Sequence, residues 1–132
     1  MVDAAQRWRV FHGRRHGRRL RPGRARLLAS ALDLISVDLS KASESPSGLF
    51  AAPVAETWLE IGFGGGEHLA AQATARPDVG FIGCEPFMNG VARLLTDIEA
   101  QGINNIRVHA DDARDLLDVL PDASISRCFI MF

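Results

Sequence analysis

The feature that most constrains the fold of this chain is a glycine-rich segment, LEIGFGGG at residues 59–66. The apolar run Thr57 to Ile61 before it predicts a short strand. The alanine-rich run Gly66 to Ala75 after it, which ends before Pro77, predicts a helix. Glycine permits a tight turn and lets a ligand approach the backbone closely. A strand, a glycine-rich turn and a helix in this order are typical of α/β domains that bind nucleotide-like ligands.

The rest of the chain continues the alternation of strands and helices. Further strands are predicted at Val79 to Cys84, Ile106 to Ala110 and Ile125 to Phe132, and helices at Pro86 to Gln101 and Ala113 to Leu120. Because such alternation forms right-handed βαβ units, it predicts a parallel sheet. The uninterrupted apolar runs favour strands buried on both faces. We expect a Rossmann-like α/β fold with about four parallel strands in the order 3-2-1-4.

The N-terminal part differs in charge and in pattern. Residues 1–26, called the basic arm below, contain nine arginines and one acidic residue, whereas residues 27–132 have a net charge of −9. Glycine and proline in the arm favour a loop or a frayed helix. Leu27 to Leu39 predicts a helix, and residues 40–53 predict a linker or loop. The expected organisation is therefore an arm, helix and linker over residues 1–53 and a ligand-binding domain over residues 54–132.

An arginine-rich arm ahead of an acidic body predicts a polyanionic partner, because guanidinium groups make bidentate phosphate contacts and stack on bases. Lys41 is the sole lysine. A GC-rich genome also explains a preference for arginine over lysine, although it does not explain the clustering. The alternative for the arm is a solvated basic tail.

No apolar run approaches the ~20 residues of a membrane span, and the basic start lacks the apolar core of a secretory signal. We expect a cytoplasmic protein, with a mitochondrial transit peptide as the alternative for the arm. The four histidines have no metal-ligand spacing, so no metal site is expected. Cys84 and Cys128 lie far apart in apolar runs and are expected to be buried free thiols. A monomer is the favoured oligomeric state.

Three ligand-binding patterns compete for the glycine turn. A P-loop needs Gly-Lys-Ser/Thr, and no lysine is near. The dinucleotide pattern G-x-G-x-x-G requires a third glycine where this chain has Glu67 or Leu69, which weakens that interpretation without excluding it. An acid followed by x-Gly-x-Gly-x-Gly matches residues 60–66 and is the class I methyltransferase pattern.

The acid of this pattern favours S-adenosylmethionine, which carries an ammonium and a sulfonium and no phosphate. A carboxylate beside the turn suits these cations and repels a pyrophosphate. The cofactor-binding residues predicted from the turn are Glu60, Gly62, Phe63 and Gly64. The alternative for Glu60 is a strand-end acid that accepts hydrogen bonds from backbone amides.

Acids also follow the next two predicted strands, at the sheet edge where α/β domains bind ligands. Glu85, followed by Pro86, stands about 20 residues after the turn, where a carboxylate accepts from ribose hydroxyls. Asp112 can accept from an adenine amino group, and Ala113 leaves room for the ring. The alternatives are a favourable acid at a helix N-terminus for Glu85 and a helix N-cap for Asp112.

The chain resembles the bacterial tRNA (guanine-N7-)-methyltransferase family over nearly its full length. Residues 11–20, FHGRRHGRRL, are similar to the family's arginine-glycine N-terminal segment. Residues 59–69 match its cofactor loop, and residues 81–86 and 105–113 match its next two motifs. The resemblance implies methyl transfer from S-adenosylmethionine to N7 of a guanine in the tRNA variable loop.

The resemblance also implies roles for particular residues. It implies cofactor contacts by Glu60, Glu85 and Asp112, and a basic arm that contacts tRNA phosphates through Arg14, Arg15, Arg18 and Arg19. The family continues after its fourth strand with Pro-Asp-Pro-Trp, whose aspartate is its proposed catalytic or cofactor-side acid. This sequence ends one step earlier, so we expect the N-terminal half of the fold and a catalytic residue beyond Phe132. The alternatives are an inactive cofactor- or RNA-binding fragment and, less favoured, an NAD-dependent oxidoreductase.

Overall fold

A four-stranded parallel sheet forms the centre of the computed structural model, which describes residues 15–131. Its strands are β1 (Glu56–Ile61), β2 (Val79–Cys84), β3 (Ile106–His109) and β4 (Arg127–Ile130). Their order across the sheet is β3-β2-β1-β4, and every pairing is parallel. Both the order and the direction of the strands predicted from the sequence are confirmed.

Helices connect and flank these strands. They are α1 (Pro22–Ser30), α2 (Leu32–Ile35), α3 (Leu39–Glu44), α4 (Glu67–Ala75), α5 (Met88–Gln101) and α6 (Ala113–Leu117), with a 3₁₀ helix at Pro46–Leu49. The predicted helix Leu27 to Leu39 is wrong at both ends, because α1 already begins at Pro22 and α2 ends at Ile35. Helix α1 begins at Pro22 because proline suits a first helical turn, and the helical backbone is interrupted at Ala31.

The prediction of a linker over residues 40–53 is also wrong, because α3 and the 3₁₀ helix lie there. Asp38 caps α3, and its carboxylate accepts from the amides of Ser40 and Lys41 at 2.9 and 3.2 Å. An aspartate in this position satisfies amides that the first helical turn leaves without partners. The capping signal was therefore present in the sequence, but the serines and prolines around it favoured a loop.

Each face of the sheet has its own hydrophobic core. Helices α1, α2, α4 and α5 cover the face that carries Trp58 and Phe81. Helix α6, α3 and the 3₁₀ helix cover the face that carries Leu59 and Ile82. The segment from α1 to the 3₁₀ helix thus packs on both faces of the sheet, and the division at residue 53 stays a prediction.

The outer strand β4 departs from its prediction. It is shorter than Ile125 to Phe132, and it is largely exposed instead of buried on both faces. Ile130 is 61% exposed, and Cys128, expected to be buried, is exposed as well. The physical reason is that, within residues 15–131, β4 pairs only with β1. Among the same residues, no helix has the length and apolar character of a membrane span.

The buried side chain of Asn105, directly before β3, holds the start of this strand against neighbouring elements. Its Nδ2 lies 3.1 Å from the carbonyl oxygen of Ala73, 3.0 Å from that of Arg76 and 2.9 Å from that of Val79. The amide has two hydrogens, so the three acceptors share them. This one side chain therefore joins the end of α4, the following turn and the start of β2.

Replacing Asn105 by aspartate is expected to lower the free energy of unfolding by about 2–4 kcal/mol. The carboxylate cannot donate, so the buried carbonyls lose their partner and face a charge. Urea denaturation followed by circular dichroism measures the loss. Asn104→Asp makes the same chemical change at an exposed neighbour and should change stability by less than ~0.5 kcal/mol. Equal effects of the two variants would contradict this role of Asn105.

Candidate cofactor site and basic arm

The glycine turn after β1 holds a backbone conformation that side chains disfavour. Gly62, Gly64 and Gly66 have φ angles of +75°, +60° and +82°. The Gly62 amide donates to the carbonyl oxygen of Cys84 at 2.8 Å, and the Gly64 amide donates to Glu85 Oε1 at 2.7 Å. The turn thus curls over the end of β2 and exposes main chain at the carboxyl edge of the sheet.

Helix α5 approaches this turn closely at Gly90. A Cβ atom at position 90 would lie 2.0 Å from the carbonyl oxygen of Gly64, far inside van der Waals contact. The turn therefore rests on the backbone of the helix. Sequence reasoning missed Gly90; the only signal was a glycine, a poor helix former, within a helical pattern.

A cleft of about 370 Å³ opens at the carboxyl ends of the strands. Among the residues that line it are four from the sequence prediction: Gly62, Pro86, Asp112 and Ala113. Ile61, Cys84, Leu117 and Ile130 give it apolar walls, and Asp111 and Arg114 complete the lining. The cleft joins a small set of polar groups to an apolar surface, as small-molecule sites commonly do.

Glu85 lies at the end of β2, beside the glycine turn. Its Oε1 accepts from the Gly64 amide, and its Oε2 accepts from the Phe87 amide at 3.3 Å. Each carboxylate oxygen has two lone pairs, so Glu85 can shape the turn and still accept from ligand hydroxyls. Pro86, which was predicted to begin the following helix, precedes its first residue, Met88.

Asp112 is the N-cap of α6, so the alternative predicted for this residue is confirmed. Its carboxylate accepts from the Arg114 amide at 2.9 Å and forms an ion pair with the Arg114 guanidinium. Asp112 also lines the cleft with Ala113, so capping does not remove it from the site. The pair with Asp112 raises the pKa of Arg114, chiefly through the side-chain hydrogen bond.

Glu60 lies beneath the site instead of in the lining of the cleft. It is only 2% exposed, and it shares the sheet face that α4 covers. Its Oε1 contacts His68 Nδ1, so it accepts from a side chain and not from the backbone amides of its alternative. Its Oε2 is buried without a hydrogen-bond partner among residues 15–131. A buried carboxylate oxygen without a partner is costly, which makes this oxygen a candidate for contact with a ligand.

Phe63 has a different surrounding from the other predicted cofactor residues. Its side chain is buried in the core, where a Cβ atom at Gly83 would lie 2.7 Å from its ring. The phenyl group therefore packs the turn onto the sheet. Only the main chain of Phe63 remains to contact a ligand.

The end of the basic arm is attached beside this site. The main chain of Arg15 accepts from the Met88 amide at 2.7 Å, and its guanidinium pairs with Asp111 at 3.1 Å. Asn89 accepts from the Gly17 amide at 2.8 Å and donates to the Arg18 carbonyl at 2.6 Å. Arg14 lies outside the described residues. Of the predicted RNA-binding residues, Arg15 thus contacts Asp111 in the lining of the cleft, whereas Arg18 and Arg19 line a separate concavity with Asn89.

The two cysteines differ in reactivity. Burial raises the pKa of Cys84, in the cleft wall, to about 12, so its thiol stays protonated. Burial raises the pKa of Cys128 as well, but this thiol is exposed on β4. We expect iodoacetamide at pH 8 to label Cys128 in the folded protein and Cys84 only after unfolding, which peptide mass spectrometry measures. Rapid labelling of Cys84 in the folded chain would contradict its burial.

The raised pKa of Cys84 also makes stability depend on pH. The pKa of this thiol is near 9.0 in an unfolded chain, its ordinary value, and about 12 in the folded chain. Stability from this group is complete below pH 9 and is lost as pH rises toward 12. Cys84→Ser should reduce this alkaline loss in urea titrations, whereas Cys128→Ser should leave most of it. An unchanged alkaline loss in Cys84→Ser would contradict the assignment.

Sequence comparisons match this chain to methyltransferases. A family model described as "Putative methyltransferase" matches residues 54–132. A tRNA (guanine-N(7)-)-methyltransferase of Nitrobacter winogradskyi is 53% identical over 89% of this chain and 46% of the relative. Relatives of the same name from Rhodospirillum rubrum and Paracoccus denitrificans are 48% and 46% identical, over 92% and 94% of this chain and 49% and 56% of theirs. The chain spans about half the length of the curated relatives that it matches.

A solved structure supports the fold. The structure of an antibiotic-related methyltransferase superposes with a TM-score of 0.53, covering 74% of this chain and 48% of that chain. The two sequences are 17% identical, so this likeness concerns the fold alone. The predicted Rossmann-like α/β architecture is confirmed.

Proposed function

The chain belongs to the methyltransferase family whose model matches residues 54–132, and we propose from this that it binds S-adenosylmethionine and acts in the methylation of guanine N7 in tRNA. The observation that carries the proposal is the cleft at the carboxyl ends of the strands, bounded by the glycine turn and by Asp112. The name shared by relatives that align with most of this chain supports the choice of tRNA as substrate. We also propose that the protein is cytoplasmic, because a tRNA substrate is found in that compartment.

The charges around the cleft fit this cofactor better than a dinucleotide. Asp111 and Asp112 line the cleft, and Glu85 lies at its edge. Among residues 15–131, the guanidinium groups of Arg114 and Arg15 are each paired with one of these aspartates, Asp112 and Asp111, so neither is free for a phosphate. Carboxylates would repel the pyrophosphate of NAD, whereas they suit a ligand with an ammonium and a sulfonium. The partnerless Oε2 of Glu60 supplies a further acceptor below the turn.

We assign the contacts as follows. Glu85 accepts from the ribose hydroxyls, and Asp112 accepts from the adenine amino group beside the small Ala113. Gly62, Phe63 and Gly64 offer main-chain groups, Pro86 adds an apolar wall, and Glu60 accepts from the ammonium through Oε2, the oxygen that has no partner among residues 15–131. When bound, the cofactor supplies an electrophilic methyl group.

The protein's own contribution to the reaction is positioning. Guanine N7 carries a free lone pair in the major groove, so it needs no deprotonation before it attacks. Holding the two reactants in line lowers the barrier by several kcal/mol at least. The basic arm orients the RNA through Arg14, Arg15, Arg18 and Arg19, whose guanidinium groups suit phosphates.

Calorimetric titration with S-adenosylhomocysteine and with NAD tests the cofactor, and transfer of a radiolabelled methyl group to a tRNA transcript tests the reaction. We expect the first ligand to bind and NAD not to bind. A transcript with 7-deazaguanine at the target lacks the N7 atom and should accept no label. Binding of NAD instead would favour an oxidoreductase. Binding of S-adenosylhomocysteine without transfer would leave a cofactor- and RNA-binding fragment as the function of this chain.

A further inference from the structure

We propose that an arginine-lined groove along the junction of α1 and α5 binds the phosphodiester backbone of RNA, beyond the reach of the arm residues 15–19. The cationic residues of its larger part are Arg21, Arg24 and Arg26. The inference rests on the proposed function, because it takes the RNA to be the substrate, and it adds the path that this RNA follows away from the cofactor cleft.

The arginines of residues 15–131 differ in whether their guanidinium groups have a partner. Each of the five arginines from β1 onward contacts a partner group. Arg76, Arg93 and Arg114 pair with carboxylates, Arg107 donates to backbone carbonyls, and Arg127 lies over the Trp58 ring. Arg15 pairs with Asp111. Within the described range, no ion pair joins a carboxylate to the remaining five, Arg18, Arg19, Arg21, Arg24 and Arg26. Among residues 15–131, the guanidinium groups with neither an ion pair nor one of these other contacts are therefore confined to the segment 18–26.

The surface around Arg21 and Arg24 is concave. Two concavities of about 340 and 630 Å³ share Arg21 and Arg24, so they adjoin. The smaller extends toward Arg18 and Asn89, where the arm is attached. The larger extends along α5 past Thr96 to Ala100. The groove thus begins where the arm meets α5 and continues along both helices.

The positive charges of Arg21 and Arg24 are unfavourable for the start of helix α1. Helix α1 has no acidic residue in its first turn, where a carboxylate would interact favourably with the helix dipole, and Arg24 stands there instead. Arg21 and Arg24 are three residues apart, so their positive charges lie on neighbouring positions. The charges at the start of helix α1 are therefore unfavourable by themselves, and a bound polyanion would offset them.

Concavity and composition favour a nucleic-acid backbone over a lipid surface. A strand of phosphates can enter a groove, whereas a flat bilayer cannot follow it. The larger concavity also contains Glu99, which repels anions and limits where phosphates can lie. Neutralising Glu99 should therefore strengthen the binding, an effect that a purely structural role of the groove would not produce.

The test is fluorescence anisotropy of a labelled tRNA transcript with the 132-residue chain over a series of salt concentrations. The variant Arg21→Gln with Arg24→Gln should weaken binding on the order of tenfold near physiological salt. It should also reduce the slope of log affinity against log salt by roughly 1.5, as expected for two lost phosphate contacts. Arg21→Lys with Arg24→Lys keeps the charges and should keep most of the affinity. Glu99→Gln should bind more tightly than the unmodified chain.

Lys41→Gln with Arg76→Gln removes the same charge outside the groove and serves as the matched control. Thermal melts of all variants show that they fold. One outcome is that the unmodified chain binds tRNA and that the variant with Arg21→Gln and Arg24→Gln has the same affinity and salt slope. This outcome would overturn the groove and leave the tRNA proposal intact. Equal losses in the Lys41 and Arg76 control would also overturn it. If the unmodified chain binds anionic phosphatidylserine vesicles and no tRNA, both the groove and the tRNA substrate are wrong.

Discussion

Gly90→Ala is expected to abolish measurable binding of S-adenosylhomocysteine and to lower the free energy of unfolding by about 2–3 kcal/mol. Alanine is the better helix former by about 1 kcal/mol, so helix propensity alone predicts the opposite sign. The added Cβ, however, would meet the Gly64 carbonyl oxygen at 2.0 Å. The backbone fixes the position of a Cβ atom, and the carbonyl oxygen is itself main chain, so no side-chain rotation relieves the contact and either the turn or α5 must move.

Urea denaturation and calorimetry measure the two effects of this variant. Gly23→Ala is the matched control, because Gly23 also lies in a helix and a Cβ there would have no atom within 4 Å. It should stabilise the chain by about 0.5–1 kcal/mol and leave cofactor affinity unchanged. If Gly90→Ala gained stability as Gly23→Ala does, the close contact between α5 and the glycine turn would be wrong.

The second large effect is expected at Glu85. Glu85→Ala removes the acceptor of the Gly64 amide and, under the proposed assignment, of the ribose hydroxyls. Hydrogen bonds to a charged acceptor contribute about 1.5–3 kcal/mol each, so affinity for S-adenosylhomocysteine should fall at least ~100-fold. Glu44→Ala makes the same change on α3, far from the cleft in sequence and on an exposed residue, and should have no effect.

A second ligand separates the two acids of the site. 5′-Methylthioadenosine keeps the adenosine part of the cofactor and lacks its amino-acid part. Glu85→Ala should weaken both ligands, whereas Glu60→Gln should weaken S-adenosylhomocysteine about tenfold or more and leave 5′-methylthioadenosine unchanged. The amide oxygen of glutamine can still accept from His68, so the core contact is retained. Equal losses for both ligands in Glu60→Gln would contradict its assignment to the ammonium.

Much of the fold follows from local signals in the sequence. The bounds of β2 were predicted to the residue, because an apolar run preceded by Asp78 and followed by Glu85 and Pro86 leaves few alternatives. The end of α5 was predicted by Gly102, which has a φ of +64°. These elements depend on neighbouring residues, which is why their sequence shows them.

The errors concern features that depend on distant contacts. The exposure of Cys128 depends on which strands pair with β4, and a buried and an exposed apolar strand look alike in sequence. In the site, the acids at the strand ends were predictable because parallel strands bring their carboxyl ends together. The side-chain burial of Phe63, the role of Gly90 and the partner of Glu60 required knowing how α4 and α5 pack.

The attachment of the basic arm has a consequence for the order of events during synthesis. Arg15 and Asp111 are 96 positions apart, and Gly17 and Asn89 are 72 apart. A ribosome that adds ~5–20 residues per second needs roughly 5–20 s to pass from Arg15 to Asp111. In the later part of that interval the arm leaves the exit tunnel, while Asp111, the partner of Arg15, has not yet been made. A segment that is translated long before its partners is therefore among the last to reach its place, and its arginines meet the RNA-rich surface of the ribosome before they meet those partners.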